Sequence, residues 1–329
     1  MHVNRSGHEW LFLLAIVCGI ASAQVRTEFV DPVVTGPGIR PLRELPGANQ
    51  RDLRHFVAVD AANANGFLYI HLVGSGGLPE NNQRVIRFAA GRGYQALSIA
   101  YPNWPSVGEL TGSLGDPAAP GAVRAERLFG IDASPLVDVD ASNGVIHRLS
   151  RLLTYLHNTH PDENWDRFLD GETPRWSRIV VGGHSQGAGY VASLAQEFVL
   201  VGGIMFAGPG DYVPGVGFAD WLLRPLRIEP AGLYGFVHQQ DPNYNFFQST
   251  QGILGLDDSG PTQDIDVVPQ DQWRSNQFSS SRTDIPAGNF HGAVVVDGSL
   301  PINADGSAGY DPIWNYMFRV ALFRNGFGD

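Results

Sequence analysis

Residues 178–194 have the sequence RIVVGGHSQGAGYVASL, in which a strand-like half is followed by a helix-like half. Its first half contains a β-branched run, which favours a buried strand, and its second half is rich in small residues and favours a helix. Between the two halves, residues 183–187 match the pattern Gly-x-Ser-x-Gly with Ser185 at its centre. On such a strand-to-helix turn, the serine hydroxyl stands above the carboxyl edge of a sheet. The stretch therefore predicts a nucleophilic serine on an α/β sheet.

The residues around Ser185 support this interpretation. Gly183 and Gly187 let neighbouring backbone pack against the turn at places where any Cβ would clash. A helix beginning near Gln186 would direct its N-terminal amides, and the positive end of its dipole, at charge developing on a substrate oxygen. The chain has 40 glycines, so the pattern alone is weak and its context carries the prediction. The alternative interpretation is a glycine-rich connection that contains an incidental serine.

The rest of the chain predicts a mostly parallel, doubly wound sheet with helices on both faces, because strand-like and helix-like runs alternate along it. The predicted strands are 53–59, 67–73, 95–100, 178–181, 203–206 and 233–238, and the predicted helices are 80–90, 143–158, 186–200 and 311–323. Residues 101–142 carry Pro, Gly and mixed charge between a strand and a helix. We therefore expect a single domain over residues 24–329, with an insertion at about 101–142 that overhangs the active-site edge.

Composition excludes several kinds of chemistry. The 329 residues are 43% hydrophobic, enough for a large core, but they include no lysine, and the single cysteine is Cys18. Schiff-base lysines, Walker phosphate loops, cysteine nucleophiles and zinc–cysteine sites are therefore excluded. The net charge of −11 argues against nucleic acid as a partner. We expect no cofactor and no metal, and interpret the acidic residues of 257–266 as a solvated loop.

The N-terminus resembles an export signal. Residues 1–23 combine Arg5, an apolar run over 10–20 and the small-residue site Ala21-Ser22-Ala23. The apolar run is short for a membrane span, and no second stretch is long enough to cross a bilayer. We therefore predict a signal peptide and a secreted or periplasmic protein without a transmembrane span. The oligomeric state is left open.

Taken together, these motifs resemble the α/β-hydrolase superfamily of serine esterases and lipases over most of the mature chain. The segment LVGSGGLP at 72–79 is similar to that superfamily's oxyanion loop, and GYQALSIAYP at 93–102 is similar to the strand that follows it. The resemblance implies that one oxyanion amide belongs to Gln186 and the other to Ser75 or Gly76. The choice between these two stays open, because the loop lacks the superfamily's common His-Gly pair.

The resemblance also implies a chain order in which the acid follows the serine and the histidine comes last. His291 fits as the base, because it lies in a Gly-flanked loop after all the predicted strands. Asp241 fits as the acid, because it follows the strand 233–238. Asp211 also ends a strand and is the alternative acid. His184 is expected to be a packing or hydrogen-bonding neighbour of the triad, and so is His238.

These residues predict a secreted serine hydrolase that cleaves carboxylic esters through an acyl-enzyme intermediate. Its substrate would be a small-molecule or lipid-like ester, and Trp104, after the strand 95–100, is expected to line the substrate pocket. An acyltransferase, or a peptidase or amidase, would use the same triad. A non-catalytic binding protein on this fold is a further alternative, although the serine, aspartate and histidine in family order favour an enzyme.

Overall fold

The computed structural model of this protein describes residues 25–45 and 53–323. The predicted signal peptide, residues 1–23, lies outside this range. The strands are β1 (Arg26–Val30), β2 (His55–Val59), β3 (Leu68–Leu72), β4 (Gln95–Ile99), β5 (Leu169–Asp170), β6 (Thr173–Pro174), β7 (Ile179–His184), β8 (Gly202–Phe206), β9 (Tyr212–Val213), β10 (Gly217–Phe218), β11 (Leu233–His238), β12 (Gln263–Asp264) and β13 (Gln277–Ser280). The α-helices are α1 (Gln83–Ala90), α2 (Val107–Thr111), α3 (Ala119–Phe129), α4 (Val145–Thr159), α5 (Gln186–Glu197), α6 (Tyr244–Ile253) and α7 (Asp311–Phe323).

Nine of these strands form one sheet in the order β1-β2-β4-β3-β7-β8-β11-β13-β12. The pairs β1–β2 and β2–β4 are antiparallel, and the other neighbouring strands are parallel. From β3 the chain moves to β4 on one side and then returns to β7 on the other. The strand order therefore reverses between β3 and β7, and ligands of open α/β sheets bind at the carboxyl edge of such a point.

Both faces of the sheet are covered. In β3, Leu68 and Ile70 belong to one hydrophobic cluster and Tyr69 belongs to the other, because successive strand residues point to opposite faces. The first cluster includes apolar residues of α4 and α5, and the second includes those of α1 and α7. This arrangement confirms the predicted doubly wound sheet, and burial on both faces explains why its strands are continuous apolar runs.

The structure also contains elements that the sequence patterns did not indicate. The strands β1 and β13 and the helix α6 were missed. The region 101–142, expected from the sequence to be an insertion of loop and helix, contains α2 and α3 joined by turns. The predicted helix 80–90 begins with a 3₁₀ turn over Pro79–Asn82 and becomes α-helical at Gln83. The predicted strands shift by no more than three residues at either end.

Within the described ranges, no helix has both the length and the apolar character that a membrane crossing requires. The same ranges contain no group of three or more His, Cys, Asp or Glu side chains placed to hold a metal ion.

Candidate active site

Ser185 is the single residue between strand β7 and helix α5. Its backbone has φ 55° and ψ −115°, a conformation that L-residues rarely adopt and that costs on the order of 1–3 kcal/mol. The turn is held by a hydrogen bond of 2.8 Å from the Ser185 amide to the Phe206 carbonyl and by one of 3.0 Å from the Ala188 amide to the Ser185 carbonyl. The surrounding structure therefore keeps Ser185 strained and its side chain only half-buried.

The two glycines of the motif are required by close backbone packing. A Cβ on Gly183 would lie 2.3 Å from the Gly187 carbonyl oxygen, and a Cβ on Gly187 would lie 1.9 Å from the Leu72 carbonyl oxygen. Both distances are far below van der Waals contact with backbone that cannot move aside. The second contact also places the first turn of α5 directly against the end of β3.

The loop that follows β3 lies beside this turn and is tied to it through Asn103. The Asn103 side chain donates to the carbonyls of Gly74 and Gly77, at 3.0 and 2.8 Å. The backbone carbonyl of Asn103 accepts from the Gly76 amide at 3.3 Å and from the Gln186 side chain at 3.1 Å. Ser75 lines the cavity in front of Ser185, whereas the Gly76 amide is already bonded to Asn103. This difference favours Ser75 as the second oxyanion donor.

Asp241 and His291 come together although they are 50 residues apart in the chain. The ring Nδ1 of His291 lies 2.7 Å from Asp241 Oδ2, and the other oxygen, Oδ1, accepts from the Asn243 amide at 2.9 Å. The carboxylate has no exposed surface, and the imidazole is 33% exposed. Nδ1 therefore donates to a buried carboxylate, which leaves Nε2 as the free ring nitrogen. Among the described residues, no hydrogen bond joins Ser185 Oγ to this ring, although both groups border one cavity.

The other acid considered from the sequence, Asp211, is engaged elsewhere. Its carboxylate forms two hydrogen bonds with the Arg124 guanidinium, 2.5 Å from Nε and 2.7 Å from Nη2, and accepts a third from Trp221 at 2.7 Å. Burial opposes the charge on Arg124, yet Asp211 raises the pKa of Arg124 above its usual value. Arg124 also donates to the Gln186 carbonyl at 3.0 Å. Asp211 therefore lies beneath the site within a buried ion pair and does not contact His291.

Two further histidines lie near the site. Burial, reinforced by the neighbouring His291, lowers the pKa of His184 to about 3, so its ring is neutral at ordinary pH. His184 Nε2 lies 3.0 Å from the His291 carbonyl oxygen. His238 Nε2 lies 2.8 Å from the Arg282 carbonyl, while its Nδ1 accepts from the Gln240 amide at 3.0 Å. Both rings are engaged in hydrogen bonds to backbone, and neither is placed as a base beside Ser185.

A cavity of about 360 Å³ opens in front of Ser185, near the lower end of the size range for small-molecule sites. Ser75, Gln186 and His291 border it together with Ser185, and Arg124 and Asp211 also contribute to its lining. Val107 and Gly108 of helix α2, which belongs to the 101–142 insertion, also line it. The aromatic lining residues are Tyr212, Phe246 and Phe247. The insertion therefore forms part of the cavity wall.

Trp104 requires a correction. Trp104 is 40% exposed and is not among the residues that line the cavity, whose aromatic members are Tyr212, Phe246 and Phe247. Sequence reasoning also missed Arg124 and Phe247, because each reaches the site from a helix whose sequence has no catalytic pattern. Their place in the lining of the cavity beside Ser185 identifies them.

Solved structures that are similar to this chain share little sequence identity with it. No family model and no curated protein matches the sequence significantly. The solved structure of TT1662 from Thermus thermophilus is similar with a TM-score of 0.42 and 14% identity, over 93% of this chain and 99% of that one. The structure of a putative dienelactone hydrolase from Klebsiella pneumoniae subsp. pneumoniae MGH 78578 is similar with a TM-score of 0.41 and 12% identity, over 91% and 99% of the two chains.

The fold is evident from the chain's own geometry. The strand order is doubly wound and mostly parallel, and the strained serine turn follows β7 at the point where that order reverses. A glycine-containing loop after β3 meets this turn, and a histidine loop follows the last strands of the sheet. The chain therefore has the α/β-hydrolase fold.

Proposed function

We propose that this chain is a serine hydrolase that cleaves carboxylic esters. The observation that carries the proposal is the 2.7 Å contact between Asp241 and His291 Nδ1, which leaves Nε2 of the ring free at the cavity that also contains Ser185. A serine, an imidazole and a buried carboxylate in this relation are the parts that acyl transfer requires. The strained backbone at Ser185 supports the same conclusion, because such strain is concentrated at active sites.

In the proposed reaction, His291 Nε2 takes the proton of Ser185 as Oγ forms a bond to the ester carbonyl carbon. The negative charge that develops on the carbonyl oxygen is stabilised by the backbone amides of Gln186 and Ser75. The bond to the leaving oxygen then breaks, and His291 gives that oxygen the proton. Water, deprotonated by His291, attacks the acyl carbon of the acyl-enzyme. The bond from that carbon to Ser185 Oγ then breaks, His291 returns the proton to Oγ, and the carboxylic acid is released. Asp241 stabilises the imidazolium in each half-reaction.

The size of the cavity suggests which esters fit. A volume of about 360 Å³ with both aromatic and charged walls suits a compact acyl group better than a long extended chain. We therefore expect p-nitrophenyl esters of two to eight carbons to be better substrates than the sixteen-carbon ester. The predicted leader adds a proposal about location, namely export from the cytoplasm. Its test is the N-terminal sequence of protein recovered outside the expressing cells, which should begin at Gln24.

The test of the function compares Ser185→Ala with Ser193→Ala. Ser193 is a buried serine in helix α5, which follows Ser185, and its hydroxyl donates to the Gly189 carbonyl at 2.9 Å. We expect Ser185→Ala to lose at least about 10³-fold in kcat on a p-nitrophenyl ester and to resist a fluorophosphonate probe. Ser193→Ala should hydrolyse the ester and react with the probe as the wild type does. Retention of wild-type turnover by Ser185→Ala would refute the proposal.

A further inference from the structure

His184, the residue before the nucleophile, lies between the oxyanion loop and the histidine loop. A Cβ built on Gly74 would lie 3.0 Å from His184 Nδ1 and 3.2 Å from Ser185 Cβ, so the start of the oxyanion loop packs against both side chains. On another side, the rings of His184 and His291 have centroids 4.9 Å apart. His184 is only 8% exposed. Its ring therefore contacts the loops that supply the base and the second oxyanion donor.

The hydrogen bond of His184 has a defined direction. A carbonyl oxygen can only accept, so the 3.0 Å contact with the His291 carbonyl requires a proton on His184 Nε2. The pKa of about 3 means that this nitrogen carries its proton in the neutral ring, and Nδ1 is the unprotonated nitrogen. The bond is therefore present across the whole pH range in which an imidazole base can act.

His291 is consequently held at two points on opposite sides of its Cα. Asp241 binds the side chain at Nδ1, at 2.7 Å, and His184 binds the backbone carbonyl, at 3.0 Å. The amide of the next residue, Gly292, donates to the side-chain oxygen of Asn289 at 3.1 Å, so the loop also contains a hydrogen bond between two of its own residues. One contact sets the rotation of the ring, and the other sets the position of the backbone that carries it.

We infer that His184 is a positioning residue for His291. Its bond to the His291 carbonyl fixes the position of the His291 ring relative to Ser185. This inference rests on the proposed function, because it concerns the same triad. His184 itself exchanges no proton with the substrate. Removing its N–H should let the His291 loop shift, and a displacement of about 1 Å can cost roughly 10²-fold in rate. The loss should fall on kcat, since His184 is not among the residues that line the cavity.

The experiment compares His184→Leu with His184→Gln. Glutamine carries an amide N–H near the position of the ring Nε2, whereas leucine has no donor. His55→Leu is the matched control. His55, in strand β2, is another buried and neutral histidine, and its ring also binds backbone, because it accepts from the Ala100 amide at 2.9 Å. Active sites are titrated with a p-nitrophenyl phosphonate in each variant, and kcat and KM for p-nitrophenyl butyrate are expressed per titrated site.

We expect kcat per site to fall by about 10- to 100-fold in His184→Leu with KM changed less than threefold, and to recover to within about fivefold of wild type in His184→Gln. His55→Leu should lose stability but keep kcat per site. Wild-type kcat per site in His184→Leu, or an equal loss in the leucine and glutamine variants, would overturn the inference alone. A wild-type protein that neither reacts with the phosphonate nor turns over the ester would overturn the proposed function, and the inference with it.

Discussion

Buried neutral histidines make the stability of this protein sensitive to mild acid. His55, His71 and His184 are each enclosed in the fold, and burial lowers the pKa of each to about 3, with Arg148 adding to the effect at His55. In the unfolded chain a histidine has a pKa of about 6.5. Between these two values each ring binds a proton only when the chain unfolds. The free energy of unfolding must therefore decrease as the pH falls below about 6.5.

The size of the effect follows from these values. At pH 5.5, one unit below the unfolded pKa, each histidine lowers the free energy of unfolding by about 1.4 kcal/mol, so the three together lower it by about 4 kcal/mol relative to pH 8. Asp297 acts in the opposite direction, because burial raises its pKa to about 6 and the folded state then binds its proton first. Its contribution at pH 5.5 is about +1 kcal/mol. The expected net loss is about 3 kcal/mol, a large fraction of ordinary protein stability.

The assay is urea unfolding at pH 8.0 and pH 5.5, followed by tryptophan fluorescence. His55→Asn provides the matched perturbation, because an asparagine oxygen can accept the Ala100 amide but does not titrate. This variant should lose about 1.4 kcal/mol of the pH-dependent difference. A difference below about 1 kcal/mol in the wild type, or an unaltered one in His55→Asn, would refute the reasoning.

Three further predictions concern single side chains. Asp241→Asn should lower kcat by about 10³- to 10⁴-fold in a stopped-flow ester assay. Asp211→Asn should mainly lower the free energy of unfolding in urea, by about 3–5 kcal/mol, because it leaves Arg124 buried without its partner. The reverse pattern would identify Asp211 as the acid. Glu126 is 3% exposed and accepts three backbone amides of the 130–139 loop, so Glu126→Ala should cost about 3 kcal/mol by thermal unfolding, and a loss under about 1 kcal/mol would contradict this. Trp104→Ala should keep kcat/KM for p-nitrophenyl butyrate within about threefold of wild type, and a tenfold drop would place Trp104 in the substrate site after all.

The covering of both sheet faces and most of the central strands were predictable, because they depend on local patterns. A strand buried on both faces must be apolar throughout, as in β7 and β8, and the amphipathic helix α4 repeats its apolar residues at helical spacing. The short strand β13 has the sequence QFSS, and β1 pairs at the antiparallel end of the sheet. Neither carries an apolar run, so their pairing partners, and not their own residues, make them strands.

The serine turn could be predicted from residues 178–194 alone, because a strand, a Gly-x-Ser-x-Gly pattern and a small-residue helix are contiguous there and their backbone requirements are local. It also offered Asp241 and Asp211 as candidate acids. The fold brings Asp241 to His291 and Asp211 to Arg124, and these contacts join residues 50 and 87 positions apart, so they depend on which loops meet at the sheet edge. The same physical reason applies to Ser75, Trp104 and His184, whose roles depend on neighbours that chain order does not reveal.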